Sequence, residues 1–176
     1  MSNKNSLLRS LKIQFRVIGA LLLREVITRY GRHNIGFLWL FFEPMLFTLG
    51  VTALWTFAGA HHYSNIPIAA FALTGYSSVL LWRNMPGRCS GAIESNYSLM
   101  YHRNVKVIDI FASRLLLEIA GVTASFLTLS VAFIAIGWIK IPENIMQVMF
   151  GWIMLIWFGV SLALLIGSLS AQSEIV

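Results

Sequence analysis

The side chains that could carry acid–base, nucleophilic or metal chemistry are few in this 176-residue chain, and they are scattered. Its carboxylates are Glu25, Glu43, Glu94, Asp109, Glu118, Glu143 and Glu174, and no two stand at a spacing suited to shared proton transfer. His61 and His62 are adjacent, but no further ligand lies close in sequence, so a solvated turn is a simpler reading than a metal site. The single cysteine, Cys89, excludes an intrachain disulfide and any multi-cysteine metal centre. There is no GxxxxGK[ST] phosphate loop, no HExxH and no GxSxG. The chain is therefore not expected to hydrolyse nucleotide, to bind a metal or cofactor, or to be an enzyme.

One carboxylate is out of the ordinary. Glu43 lies inside the apolar run from Ile35 to Ala58 and is followed at once by Pro44. A carboxylate deep in a membrane span is costly, so it faces protein, water or a pore. Pro44 removes a backbone hydrogen bond and is expected to kink the helix. Two readings stand for Glu43: a direct part in transport, or a protonated or paired group within a bundle.

The elements that must position these groups follow from composition and periodicity. The chain is 57% hydrophobic and 11% charged, against about 25% charged in a soluble domain, so it cannot coat a soluble surface. The expected fold class is an all-α membrane protein. An N-terminal amphipathic interface helix (6–33) precedes four transmembrane helices at 35–58, 66–82, 110–138 and 145–171, with a cytoplasmic loop or helix at 83–109. In the first element Leu8, Leu11, Phe15, Ile18 and Leu22 share one face, with Arg9, Lys12 and Arg16 opposite, the pattern of a helix lying in the membrane interface. Glu25 and Arg29 are spaced i,i+4 and can pair on the wet face.

Pro86 and Gly87 are expected to end the second span, and Ala92 to His102 to form a short amphipathic helix with Ile93, Tyr97 and Met100 on one face. Arg114 and Glu118 can pair near the start of the third span. Gly121 and Ser125 there, and Gly159, Ala163, Gly167 and Ala171 in the fourth, are small residues at four-residue spacing, suited to close helix contact. Trp82, Trp138 and Trp152 stand near span ends, where indoles favour the headgroup region.

The net charge of +6 would suggest nucleic acid in a soluble protein, but its distribution points elsewhere. Residues 1–34 carry seven Lys and Arg and residues 83–114 carry five, 7 + 5 = 12 of the 13, leaving only Lys140 on the other side. Positive charge collects on the cytoplasmic side, so both termini are expected in the cytoplasm, and no nucleic-acid partner is implied.

The stretch LLLREVITRYGRHNIGFLWLFFEP, with its R-E-x-x-T-R-Y, G-F-L-W and E-P elements, resembles the membrane subunit of type-2 ABC exporters. More narrowly it is similar to the inner-membrane permeases of capsular polysaccharide export in Gram-negative bacteria, as is YHRNVKVIDIFASR before the third span. The resemblance covers essentially all of residues 1–176, as a single permease domain. It implies a homodimer in the bacterial inner membrane that moves a capsular or lipopolysaccharide-type polymer, lipid-linked, outward. Two separate ATP-binding subunits would drive it, docking at Arg24, Glu25, Arg29 and Tyr30 and at the region holding Glu94, Tyr97 and Arg103. Sugar faces stack on aromatic rings, so Trp39, Phe42 and Trp55, with Glu43, become candidates for lining the pathway. The family usually has six spans, so the resemblance makes this chain one shortened at its C-terminus. The competing readings are a non-transport membrane scaffold or nonfunctional remnant, and a membrane-embedded enzyme acting on lipid-linked sugars.

Overall fold

The computed structural model describes residues 2–31, 34–59, 67–101 and 105–173, and no strand occurs among them. The chain is an all-α membrane protein, as its composition requires. Helix α1 (Ser2–Tyr30) ends where Gly31 adopts φ +82° and donates to Ile27 O at 2.9 Å, a left-handed stop that favours glycine. Helix α2 (Asn34–Phe57) runs through Pro44 without a break. Thr48, Thr52 and Thr56 each return their hydroxyl to the carbonyl four residues back, at 3.0, 2.8 and 2.7 Å. These bonds let Thr48 and Thr52 be buried in an apolar bundle without an unsatisfied polar group.

The next helix is continuous in backbone but not in type. Helix α3 (Ile68–Phe71) passes into a π-helical turn (Ala72–Tyr76) and then into α4 (Ser77–Cys89). The sequence suggests a stop at Pro86 and Gly87. Instead α4 carries Pro86 inside it and ends at Cys89. Pro86 forfeits one backbone bond, but it is buried, and Met85 and Cys89 on either side of it pack closely against Gly159 and Gly167.

A 3₁₀ turn (Glu94–Asn96) and one turn of helix, α5 (Tyr97–Met100), replace the longer amphipathic helix expected there. Ile93 and Met100 pack on the core, whereas Tyr97 points outward. Helix α6 (Val107–Ile136) starts three residues earlier than the apolar run suggests, because Asp109 accepts the Lys106 amide at 3.0 Å and caps it. It stops at Gly137, φ +83°, with Trp138 N–H reaching back to Phe133 O at 2.9 Å. Helix α7 (Ile145–Ser173) opens on Asn144, whose side chain accepts the Gln147 amide at 3.2 Å.

Among the described residues, three helices are long and apolar enough to cross a membrane: α2 over Leu38–Phe57, α6 and α7. The α3–α4 segment, expected as the second of four spans, falls outside that group because its helix type changes and its last half holds Arg83, Asn84 and Arg88. Helix α6 is central and touches α1, α2 and α4, while α7 lies chiefly along α4. The small residues mark the seams. An added Cβ on Gly121 would meet Leu40 O at 3.1 Å, and Ser125 Oγ donates to Phe41 O at 2.6 Å, so α6 and α2 approach to backbone contact. Gly159, Ala163 and Gly167 are buried, with Gly159 against Met85 and Trp82 and Gly167 against Cys89 and Phe111. Lipid tails are as apolar as leucine, so such seams are held by van der Waals contact rather than by escape from water.

Candidate functional site

Where α1, α2, α4 and α6 meet, an open cavity of about 430 Å³ is lined by Tyr30, Glu43, Arg83, Asn84, Arg88 and Glu118 together with apolar walls from Leu40, Phe47 and Val122. Four formal charges therefore share a recess between apolar helices. Among the described residues Glu43 makes no hydrogen bond or ion pair, and Arg83 makes no ion pair. Glu43 and Phe47 also line a second, largely apolar groove of similar size along α2, with Trp39, Leu46, Gly50, Val51 and Leu54. Glu43 thus stands at the junction of a polar recess and an apolar one.

A ring of charges closes the recess on the α1 side. Glu118 Oε2 accepts Arg29 Nη1 at 3.3 Å and Arg88 Nε at 3.2 Å, while Oε1 accepts Asn84 Nδ2 at 3.1 Å. Arg29 also reaches Glu25 Oε1 at 3.3 Å. Arg114 completes the circuit. It donates to Arg88 O and Ser95 Oγ, both at 2.8 Å, and its Nε lies 3.5 Å from Glu25 Oε1, close enough for charge attraction but without hydrogen-bond geometry. Burial works against the charge on Arg29, but Tyr30, Glu118 and Glu25 more than offset it, and the guanidinium's pKa lies above its ordinary value. Burial raises the Tyr30 phenol, Arg29 beside it pulls it down, and Glu43 and Glu118 push it up again, so the hydroxyl is neutral near pH 7. Two further polar bonds fasten α1: Gln14 to Asp109 on α6, and Arg24 to Asn96 in the turn before α5.

The sequence-predicted residues therefore divide. Glu25 and Arg29 do pair, but on the face that α1 turns to α6, not on a wet face. Arg114 turns to Glu25 rather than to Glu118 four residues on. Arg24 bridges α1 to the α5 region, and Tyr30 and Glu43 line the cavity. Glu94 and Tyr97 are exposed, with Tyr97 edge-on to Tyr101. Trp39 borders the apolar groove, whereas Phe42 and Trp55 line neither recess, and Trp55 packs on Phe71 at 5.8 Å between ring centres. Arg103, His61, His62 and Glu174 lie outside the described residues. Sequence reasoning missed Asn84, Arg88 and Glu118 as one cluster. The available signal was the i,i+4 spacing of Asn84 and Arg88 beside an apolar span, since charges there face protein.

The chain is 48% identical over 172 residues to the capsule polysaccharide export inner-membrane protein CtrC of Neisseria meningitidis serogroup B, covering 98% of this chain and 65% of that protein. It is 43% identical over 167 residues to the capsule polysaccharide export inner-membrane protein BexB of Haemophilus influenzae, covering 95% of this chain and 63% of the relative. It is 30% identical over 145 residues to the polysialic acid transport protein KpsM of Escherichia coli, covering 82% and 56%. The chain thus spans somewhat under two thirds of the length of these relatives. No family model matches it.

Proposed function

Because the chain belongs to the family of the capsule polysaccharide export inner-membrane proteins, we propose that it is the membrane-spanning part of an ATP-driven polysaccharide exporter. The observation that carries this reading is the 48% identity sustained over 98% of the chain. The polar recess supports it. A sugar polymer brings hydroxyls that an apolar bundle cannot satisfy, and Glu43, Arg83 and Asn84 offer acceptors and donors at one place. Trp39, in the adjoining groove, offers a ring face for a sugar. Two copies would enclose the pathway, and the polymer would be a capsular or lipopolysaccharide-type one, carried on a lipid.

No phosphate loop occurs in these 176 residues, and in this reading ATP is hydrolysed by a separate subunit. It docks on the outward side of α1 and on the α5 region, at Arg24, Glu94, Tyr97 and Arg103, while Glu25, Arg29 and Tyr30 hold α1 from behind. The excess of Lys and Arg before α2 and between α4 and α6 supports a cytoplasmic side for these docking elements and for the described ends of α1 and α7, with the α3–α4 segment crossing the membrane as well.

Deletion of the gene in its own bacterium is the test. Polysaccharide should disappear from the cell surface and accumulate inside, and the complete gene returned in trans should restore it. Surface polymer that persists unchanged in the deletion strain would rule the export reading out.

A further inference from the structure

We propose that Glu118 is a positioning residue that couples movement of the interface helix α1 to the wall of the polar recess; this rests on the export reading above. Its carboxylate is nearly buried, its side chain 7% exposed, yet it serves donors from two different helices. Arg29 comes from α1. Asn84 and Arg88 come from α4 and themselves line the recess. Arg114, also on α6, joins the same helices by another route, to Glu25 of α1 and to the Arg88 carbonyl of α4, but a displacement of α1 reaches the α4 side chains that line the recess through Glu118.

The bond lengths say how the link works. Arg29 and Arg88 converge on the same oxygen, Oε2, at 3.3 and 3.2 Å. A charge-assisted N–H···O bond with an oxygen to itself settles nearer 2.7–2.9 Å. Across the ring, three guanidiniums (Arg29, Arg88, Arg114) share two carboxylates (Glu25, Glu118), and its ion-pair contacts run from 3.2 to 3.5 Å. Acceptors are therefore in short supply. If α1 shifts and Arg29 withdraws toward Glu25, Oε2 is left to Arg88, which closes on it and draws α4 after it. If Arg29 closes on Glu118 instead, Arg88 is released toward the recess. Two arrangements of one ring thus exchange hold of a single oxygen. Buried charge is an expensive way to join helices that small residues join elsewhere in this same molecule, and a shared acceptor supplies what a glycine seam lacks, a second position.

The test uses the complete transporter with its ATPase in proteoliposomes and the polysaccharide of the same bacterium. ATP hydrolysis and polymer uptake are measured on the same vesicles. Spin labels at Ile27→Cys on α1 and Val79→Cys on α4, in a Cys89→Ser background, report the distance between the helices with and without nucleotide. Glu118→Gln keeps the shape and one acceptor but removes the charge. The expected result is hydrolysis within about twofold of wild type, polymer uptake down at least tenfold, and loss of the nucleotide-driven distance change. Arg88→Lys, which keeps the charge but loses the Nε donor, should act in the same direction more weakly. Uptake and helix movement unchanged in Glu118→Gln would overturn the proposal. So would loss of hydrolysis and uptake together in both variants, which marks a merely structural residue. A wild-type complex that hydrolyses no ATP and moves no polymer would overturn the export reading itself, and the proposal with it.

Discussion

Two kinds of seam hold the described helices together, and they are built on opposite principles. Along α4 and α7 the contact is made by absence. Gly159, Ala163 and Gly167 leave room for Met85 and Cys89, and the closest atoms are carbon and sulfur. Around α1, α6 and the lower half of α4 the contact is made by charge, through Glu25, Arg29, Arg88, Arg114 and Glu118. The first kind has one arrangement, fixed by shape. The second is open to rearrangement, because three guanidiniums share two carboxylates. The export function proposed above would use both: a frame that stays, and a joint that gives.

The largest expected effect comes from breaking the charged seam. Glu118→Ala strands Arg29 and Arg88 in a poorly solvated place, and removing one partner of a buried ion pair costs about 3–5 kcal/mol. The partial exposure of Arg88 moves the expectation to the lower end. Thermal unfolding in detergent, read against Glu118→Gln, checks it. A loss no greater than that of Glu118→Gln would mean the charges are already well hydrated.

Next comes the small-residue seam. At Gly167 an added Cβ would sit 3.0 Å from Cys89 Cβ and 3.1 Å from the Phe111 ring. Gly167→Leu should therefore overpack the seam and cost roughly 1–3 kcal/mol. Gly151, on the same helix, has nothing within 4 Å of such an atom. Gly151→Ala should stabilise α7 by about 0.5–1 kcal/mol, the ordinary gain of replacing a helical glycine. Opposite signs in one melting series would show that the seam, rather than glycine as such, matters.

Cys89 gives a chemical reading of the same contact. Burial pushes its thiol up to about 11, with Arg114 pulling weakly the other way. At pH 7.5 it is protonated and 1% exposed. A maleimide should modify it slowly in the folded protein and quickly in denaturant, with Gly167→Leu increasing the folded-state rate. A fast wild-type rate would mean that α4 and α7 part readily. The smallest effect is expected on the outer surface. Glu94→Lys with Tyr97→Ala should reduce co-purification of the ATPase severalfold while leaving the melting temperature within a degree or two, since both side chains are exposed.

The contrast between the seams is also a contrast in what can be read from a string of residues. The glycine strip of α7 was visible as a spacing of four, because a helix repeats every 3.6 residues whatever surrounds it. The helix of α1 was likewise legible from its periodicity, and Leu8, Leu11 and Phe15 on one face are exposed, as are Arg9, Lys12 and Arg16 opposite them. The charged ring was not legible as a ring. Its spacing of four suggested Glu25 with Arg29, which is right, and Arg114 with Glu118, which is not. Arg114 went to Glu25, and Glu118 to an arginine 89 positions away. Pro86 misled for a related reason: proline disfavours a helix locally by a few kcal/mol, and packing along α4 outweighed it.

What the residues determined by themselves is the kind of protein this is. Low charge, long apolar runs and one-sided positive segments leave an α-helical membrane bundle as the structure able to satisfy the backbone in lipid, and the residues around Arg24 to Pro44 were enough to suggest the family. The tertiary structure alone decided which face of α1 turns inward, that Gly159 and Gly167 meet α4, and that Glu43 and Glu118 border one recess. Helix formation depends on near neighbours and is written into the local order of residues. Partner choice between helices depends on shape and charge brought together from distant parts of the chain, and it exists only once the helices have packed.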